Sequence, residues 1–512
     1  MINDFVTTSA RDGSNKSLWQ EAAATSGAET FDLNTIYDVL IVGGGITGIT
    51  AAILLQKQGK KVILAEAHSI GFGTTGGTTS HLNTFFDTPY PQIESDFGED
   101  GAKLVAKAGK ETLDLIASLV TEYSIDCDFQ YKDGYLFSQN EKETKQLDEI
   151  LASSQKVGID ATESNINGVP LQFDKAVVFK GQAQFHPLKY INKLAEVFVQ
   201  NDGVILNNTF INDLKKEGEA YTATDGSLNI KASQVFYATH MPPGINISNF
   251  TCAPYRSYVI GVTLKDNNYP DCLSYDMKEP YHYFRTHEVN GQKYLIVGGE
   301  DHKTGHGAPE QSFAALEEYV RGIYNVYEVA YKWSSQYYEP ADGLPYIGKM
   351  PLGGNDVFMA TGYSGNGIIF GSLSARIITD LICGIENPYE KLFSPSRIKP
   401  VAGFTEFVKE NADVAWKFIA DRFSSEDIDS LNELKAGDGM IAKYKGDKVA
   451  VYKDEQGTIH ALSPVCTHAK CIVSFNPEEK SWDCPCHGGR FSIDGKVLTG
   501  PPQHDLQKID VQ

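Results

Sequence analysis

YDVLIVGGGITGIT occupies residues 37–50, and its reading decides how most of the chain folds. Residues 37–42 are an apolar run broken only by Asp38, suited to a buried parallel strand. A glycine turn follows, and a helix-period stretch runs from Ile46 to Gln58. KKVILAE (60–66) is a second strand, so the segment opens as a βαβ unit. Gly43, Gly45 and Gly48 satisfy G-x-G-x-x-G between strand and helix. Gly43 permits the tight turn, Gly45 lets a pyrophosphate approach, and Ile46 and Thr47 stand at a helix N-terminus rich in donors. Glu66 ends the second strand, 18 residues past Gly48, where an acid binds a ribose hydroxyl. The bland alternative is a strand–helix turn beside an incidental acid.

Outward from this motif, 512 residues are too many for one compact core, and two or three domains are expected. The net charge of −21 argues against binding nucleic acid or an anionic membrane, since both are held through basic patches. No stretch approaches the ~18 apolar residues of a membrane span. Residues 1–20 carry no apolar signal core, so the cytoplasm is the expected compartment.

Residues 1–35 read as a partly ordered lead-in. Residues 98–123 read as an amphipathic helix, and Lys132-Asp133-Gly134 within 128–138 as a hairpin signal. Residues 187–200 are helical. VILNNTF, EAYTAT, LNIKA and QVFYATH read as four strand-like pieces, and 255–300 as further strands. Residues 358–382 give strand, glycine loop and long helix. A polar, turn-rich break follows Gly384, then an amphipathic helical connector at 404–422 and a small all-β module.

GFGTTGGTTSHLN (71–83), ADGLPYIG (341–348) and GYSGNG (362–367) complete a set that resembles the D-amino-acid oxidase/glycine oxidase/sarcosine oxidase family over residues 37–385. HPLKY (186–190) and the strand end YATH (237–240) fit it as well. The resemblance implies non-covalent FAD. It places Thr74, Thr75, Gly76, Gly77 and Thr78, the strand-end Ala238 and Thr239, and the adenine-side Phe210 against the cofactor. Gly362, Gly365, Asn366, Gly367 and Ile368 would face the flavin pyrimidine end, where a helix dipole stabilises reduced flavin. Gly77 and Ser335 stand where relatives carry a flavin-linking His or Cys.

The same resemblance makes Tyr255 and Tyr337 candidate substrate-facing tyrosines. The family's carboxylate-binding Arg and Lys fall on Thr79 and Ile369, so a bidentate clamp is missing at the expected places. Arg285 is the candidate substitute. His240, His282 and His302 are candidates with no assigned acid or base role, because the family chemistry mainly orients and desolvates an amine.

Near the C-terminus, Cys466-Thr467-His468 is separated by fifteen residues from Cys484-Pro485-Cys486-His487. Two loops each offering a thiolate and an imidazole suit a two-iron cluster, in which two His on one iron raise the potential. A structural zinc site is the alternative, although zinc fingers usually keep like ligands together. Residues 428–512 resemble a Rieske [2Fe–2S] module, with Gly500-Pro501-Pro502 as its proline loop. That resemblance implies a disulfide between Cys471 and Cys486, and His468 and His487 as the exposed edge for electron exit. Gly489 and Phe491 stand where respiratory Rieske proteins carry hydroxyl donors to the sulfurs, so a lower potential is expected.

The expected fold is an α/β Rossmann-like FAD domain interleaved with an antiparallel-sheet substrate domain over 36–385, a linker at 386–427, and an all-β Rieske domain at 428–512. The expected function is oxidation of a C–N bond in a small amine or amino-acid derivative, electrons passing from FAD through the cluster to an external carrier. An O2-dependent oxidase with a structural Rieske domain, and a flavin reductase fed through the cluster, are the alternatives.

Overall fold

The computed structural model describes residues 11–21, 32, 34–246, 248–397, 426–427 and 434–510. The apolar run of the opening motif becomes the strand Ile36–Val42, the centre of a parallel sheet. It pairs with Val62–Ala65 on one side and Asn229–Tyr237 on the other. Val204–Leu206 and Val357–Thr361 extend the parallel array, and Tyr346–Lys349 closes one edge antiparallel. Both faces are covered, which is why Leu40, Ile41 and Leu64 can all be apolar and fully buried. The helices Ile46–Lys57 and Gly367–Cys383 pack together, with Gly371 close against Thr47 and Ile46.

A second, largely antiparallel sheet interleaves with the first along the chain. Its broad face is built from Cys252–Leu264 between Val326–Pro340 and Gln292–Lys303. Local signals and outcome differ at three places. Lys132-Asp133-Gly134 is a bulge within one strand, Gln130–Ser138, instead of a hairpin turn. Gly134 passes so close to Phe85 and Gln182 that a side chain would crowd both, and the strand continues through it. LNIKA and QVFYATH form the single strand Asn229–Tyr237. The helix expected at 98–123 begins earlier, at Tyr90, with a break at left-handed Gly98.

The C-terminal module consists of two small four-stranded sheets. One runs through Gly439–Tyr444, Asp447–Lys453 and Ile459–Leu462; the other runs from Ser474–Asn476 to Val497–Thr499. The amphipathic connector expected at 404–422 lies outside the described residues.

The described part of the lead-in is far from peripheral. Arg11, Asp12, Leu18 and Trp19 are completely buried. Trp19 Nε1 donates to Thr78 O at 2.5 Å, Ser17 Oγ to Gly76 O at 2.6 Å, and Asp12 N to Phe72 O at 3.2 Å. These bonds fix the glycine-rich segment 71–79 from behind.

Candidate functional site

A long cavity begins at the glycine turn and runs to the junction of the two modules. Gly43 adopts φ +110°, open to glycine and strained for other residues. A Cβ on Gly48 would lie 1.9 Å from Gly43 O, so the close strand–helix approach requires glycine there. Glu66 Oε2 accepts from Gly44 N at 2.6 Å and Oε1 from His68 N at 2.9 Å. Burial raises the Glu66 pKa, and the N–H groups of Gly44, His68 and Ala67 partly oppose that. Thr75 Oγ1 accepts from Ile46 N at 3.1 Å, joining the segment 71–79 to the helix start.

Gly43, Gly45, Ile46, Thr47, Glu66, Thr74, Thr75, Gly77, Thr78, Phe210, Ala238, Thr239, Gly365, Gly367 and Ile368 all line this cavity. Gly48, Gly76, Gly362 and Asn366 stand behind its wall. Gly48 closes the strand–helix approach, Gly76 O is tied to Ser17, Gly362 adopts φ +79°, and Asn366 Oδ1 accepts from Asp87 N at 3.0 Å. The cradle of close glycines, an acid at the second strand end and a long helix starting at Gly367 fits a dinucleotide. Gly77 and Ser335 both stand in this wall. A Glu66→Ala variant is expected to lose its cofactor about tenfold more readily on dilution, the effect of one lost ribose hydrogen bond. Flavin retained after gel filtration measures this.

The substrate candidates separate. Tyr337 lines the cavity, and its hydroxyl donates to Asp301 Oδ2 at 2.8 Å. Tyr255 lies off the wall, stacked on Tyr337 at 5.9 Å. Arg285 does not serve as a clamp. It is fully buried, and one terminal nitrogen donates to Thr79 O at 2.7 Å and Ser80 O at 2.8 Å while the other meets His287 Nδ1 at 2.7 Å. Buried carbonyls need donors, and this guanidinium satisfies them. His282 sits between Asp276 at 2.8 Å and Glu300 at 3.2 Å, and His302 Nε2 meets Tyr258 OH at 2.9 Å. Both are away from the cavity, whereas His240 lines it with its pKa lowered to about 4 by burial.

Sequence reasoning missed Ser257 and Tyr283 in the wall, and Asp301 and Asp87 behind it. Ser257 Oγ and Tyr283 OH lie 2.8 Å apart. Asp87 Oδ2 accepts from Gly365 N at 2.6 Å. The surrounding protein pushes Asp301 up to about 7 and Asp87 up to about 6, although Asp301 is half-buried and solvent still reaches Asp87.

In the C-terminal module, Cys466 and Cys484 are buried and outside any disulfide, and the His468 and His487 rings stand 5.0 Å apart at 90°. The Nδ1 atoms of both histidines are closed off from solvent and make no hydrogen bond. Two orphaned imidazole nitrogens beside two buried free sulfurs fit the mixed ligand set of a Rieske cluster. Cys471 and Cys486 form a disulfide. The sulfurs of Cys471, Cys484 and Cys486 also crowd together, but two of the three are consumed by that bond.

The histidine edge corrects the expectation of an exposed exit. His487 is only 5% exposed and packs against Phe250. His468 Nε2 donates to Gly244 O at 3.2 Å. Tyr338 OH donates to the His487 carbonyl at 3.1 Å, and Gln336 Nε2 to Gly488 O at 2.8 Å. Gln336 and Tyr338 also line the long cavity, as do residues 498–503 of the C-terminal module, including the proline loop. His487 is therefore covered by the first module, while His468 stands half-buried at the same junction.

The family described as "FAD dependent oxidoreductase" matches residues 38–381, and the Rieske [2Fe-2S] domain matches residues 426–510. The Rieske 2Fe-2S iron-sulfur protein YhfW of Bacillus subtilis (strain 168) is 32% identical over 97% of this chain and 98% of its own. Gamma-glutamylputrescine oxidoreductase of Escherichia coli (strain K12) is 22% identical over 70% of this chain and 86% of its own. Among solved structures, glycine oxidase from Geobacillus kaustophilus superposes with a TM-score of 0.59 at 18% identity, covering 71% of this chain and 99% of that one. No helix among the described residues is long and apolar enough to cross a membrane. The chain belongs to the FAD-dependent oxidoreductase family and carries a C-terminal Rieske [2Fe–2S] domain, so it is a flavoenzyme with a second, one-electron cofactor.

Proposed function

We propose that the protein is a dehydrogenase for a C–N bond in a small amine or amino-acid derivative, passing its electrons through the cluster to an external carrier. FAD supplies a two-electron acceptor and the Rieske cluster a one-electron carrier. The observation that carries the reading is the shared wall: Gln336 and Tyr338 line the flavin cavity and donate to the carbonyls of Gly488 and His487. Among the described residues, that wall meets the candidate ligand His487 directly. His240 extends the same contact, its ring 4.8 Å from that of Tyr338.

The C–N bond is supported by the site and by the relatives' names. Tyr337, Tyr283 and Ser257 shape a mostly apolar chamber beside the flavin loops, suited to orienting and desolvating an amine. Gamma-glutamylputrescine oxidoreductase and glycine oxidase are both named for nitrogen-bearing substrates. Gly489 has no room for a hydroxyl donor, since a Cβ would lie 2.5 Å from Pro502, and Phe491 is fully buried. Both support a potential below that of respiratory Rieske proteins.

Anaerobic stopped-flow with amine substrates, paired with freeze-quenched EPR, tests the relay. The expected result is flavin bleaching followed by a reduced Rieske signal in the same sample. Bleached flavin with a permanently oxidised cluster would overturn it and favour an O2-dependent oxidase.

A further inference from the structure

The cavity wall contains no lysine and no arginine among the described residues. Its ionisable members besides tyrosine are Glu66 and two histidines, His68 and His240, both lowered to about 4 by burial and so neutral near pH 7. Arg285, the one nearby guanidinium expected to meet a carboxylate, is committed to the carbonyls of Thr79 and Ser80. An anionic substrate would therefore lose its hydration and gain no counter-charge.

The opposite sign is provided for. Directly behind Tyr337 lies Asp301, whose Oδ1 is closed off from solvent and whose carboxylate is faced by the hydroxyls of Tyr337 and Ser257. Asp87 lies behind Gly365, and a Cβ on Gly365 would meet both Asp87 Oδ2 at 2.8 Å and Tyr281 OH at 3.2 Å. Tyr283 and Tyr337 give the chamber aromatic walls, and aromatic faces attract desolvated cations. Half-buried Asp301 and exposed Asp87 stand behind the chamber with no lysine or arginine in its wall among the described residues, an arrangement that a bound ammonium would relieve.

We infer that the chamber selects a cationic amine without an α-carboxylate, its ammonium group held in the field of Asp301 and Asp87 against the rings of Tyr283 and Tyr337. This rests on the amine-oxidising reading above and narrows it from amino acids to amines proper.

Binding separates this inference from turnover and from the electron relay. The probes are tetramethylammonium, which lacks the lone pair needed for oxidation, and acetate, of similar size and opposite charge. Each is titrated into the oxidised holoenzyme while the flavin visible spectrum is followed. Tetramethylammonium is expected to perturb the spectrum saturably and acetate to leave it unchanged. Asp301→Asn should weaken tetramethylammonium about tenfold or more, with flavin content and cluster EPR unchanged. Saturable binding of acetate but not of tetramethylammonium would overturn the inference. So would an unaltered tetramethylammonium affinity in folded Asp301→Asn. If that variant does not fold, the selectivity of the unaltered enzyme still decides. A failed relay would leave these titrations untouched.

Discussion

A Gly488→Ala variant should keep its flavin and its cluster, and electron arrival at the cluster should slow by about 100-fold. Gly488 directly follows the ligand His487 and adopts φ +68°, a conformation that costs other residues roughly 1 kcal/mol. An added Cβ would lie 2.7 Å from Pro254 Cβ, 2.8 Å from Gln336 Nε2 and 2.9 Å from Tyr338 OH. All three belong to the strands Cys252–Leu264 and Val326–Pro340, the rigid pair behind the flavin cavity. The C-terminal loop must therefore retreat, breaking the Gln336 and Tyr338 hydrogen bonds together. Nothing in the glycine cradle of the first module touches Gly488, so flavin binding should persist. Single-turnover anaerobic kinetics would show flavin bleaching at its normal rate with delayed cluster reduction. An unchanged cluster rate would mean that electrons reach the cluster by some route other than this wall.

The contact at Gly488 also shows where sequence reading stops. The dinucleotide cradle was legible because every part of it is local: strand, three glycines, helix, and an acid at the end of the next strand. The four cluster ligands were legible for the same reason, lying in two short loops of fixed spacing. Arg285 was not, since its partners Thr79 and Ser80 are some 200 residues away and only the folded sheet brings them together. Asp301 carries no local mark either. It is one polar residue near the end of a strand, and its meaning comes from Tyr337 across the sheet. Reading His468 and His487 as an exposed edge suits an isolated module; in the docked one His487 is buried and His468 half-buried. Docking is decided by tertiary contacts such as His468 with Gly244. The lead-in is the extreme case. Arg11-Asp12 falls in a stretch that reads as a partly ordered lead-in, yet both residues are fully buried.

Their burial leads to the second large effect, at the ionic core that joins the modules. Arg490 is expected to be the most sensitive residue of this junction, Arg490→Met costing about 3–5 kcal/mol. Three arginines (Arg11, Arg256, Arg490) and three acids (Asp12, Glu479, Asp483) are buried together. Arg490 Nε donates to Asp483 Oδ1 at 3.0 Å, and one terminal nitrogen lies 3.2 Å from Asp12 Oδ2. Glu479 receives Ser14 N at 3.0 Å and Ser334 N at 3.1 Å, linking lead-in, first module and cluster module at one carboxylate. Burial disfavours the Arg490 charge, but Asp483, Asp12 and Glu479 outweigh it and raise its pKa. Burial likewise works against ionised Asp12 and Asp483, and the arginines hold both below the ordinary carboxylate range.

Removing Arg490 therefore leaves two acids against too little positive charge in a dry site. Apparent Tm by the loss of the cluster's visible absorbance should fall by at least ~10 °C for a module of this size. The charge balance makes a sharper statement than the single variant. With Arg490→Met, two arginines face three acids; adding Asp12→Leu restores two against two. The double variant should be more stable than Arg490→Met alone, an interaction energy of opposite sign to two additive losses. A double variant that loses the full sum of both single effects would show that Arg490 acts through packing alone, and that the lead-in is not an electrostatic bolt between flavin and cluster.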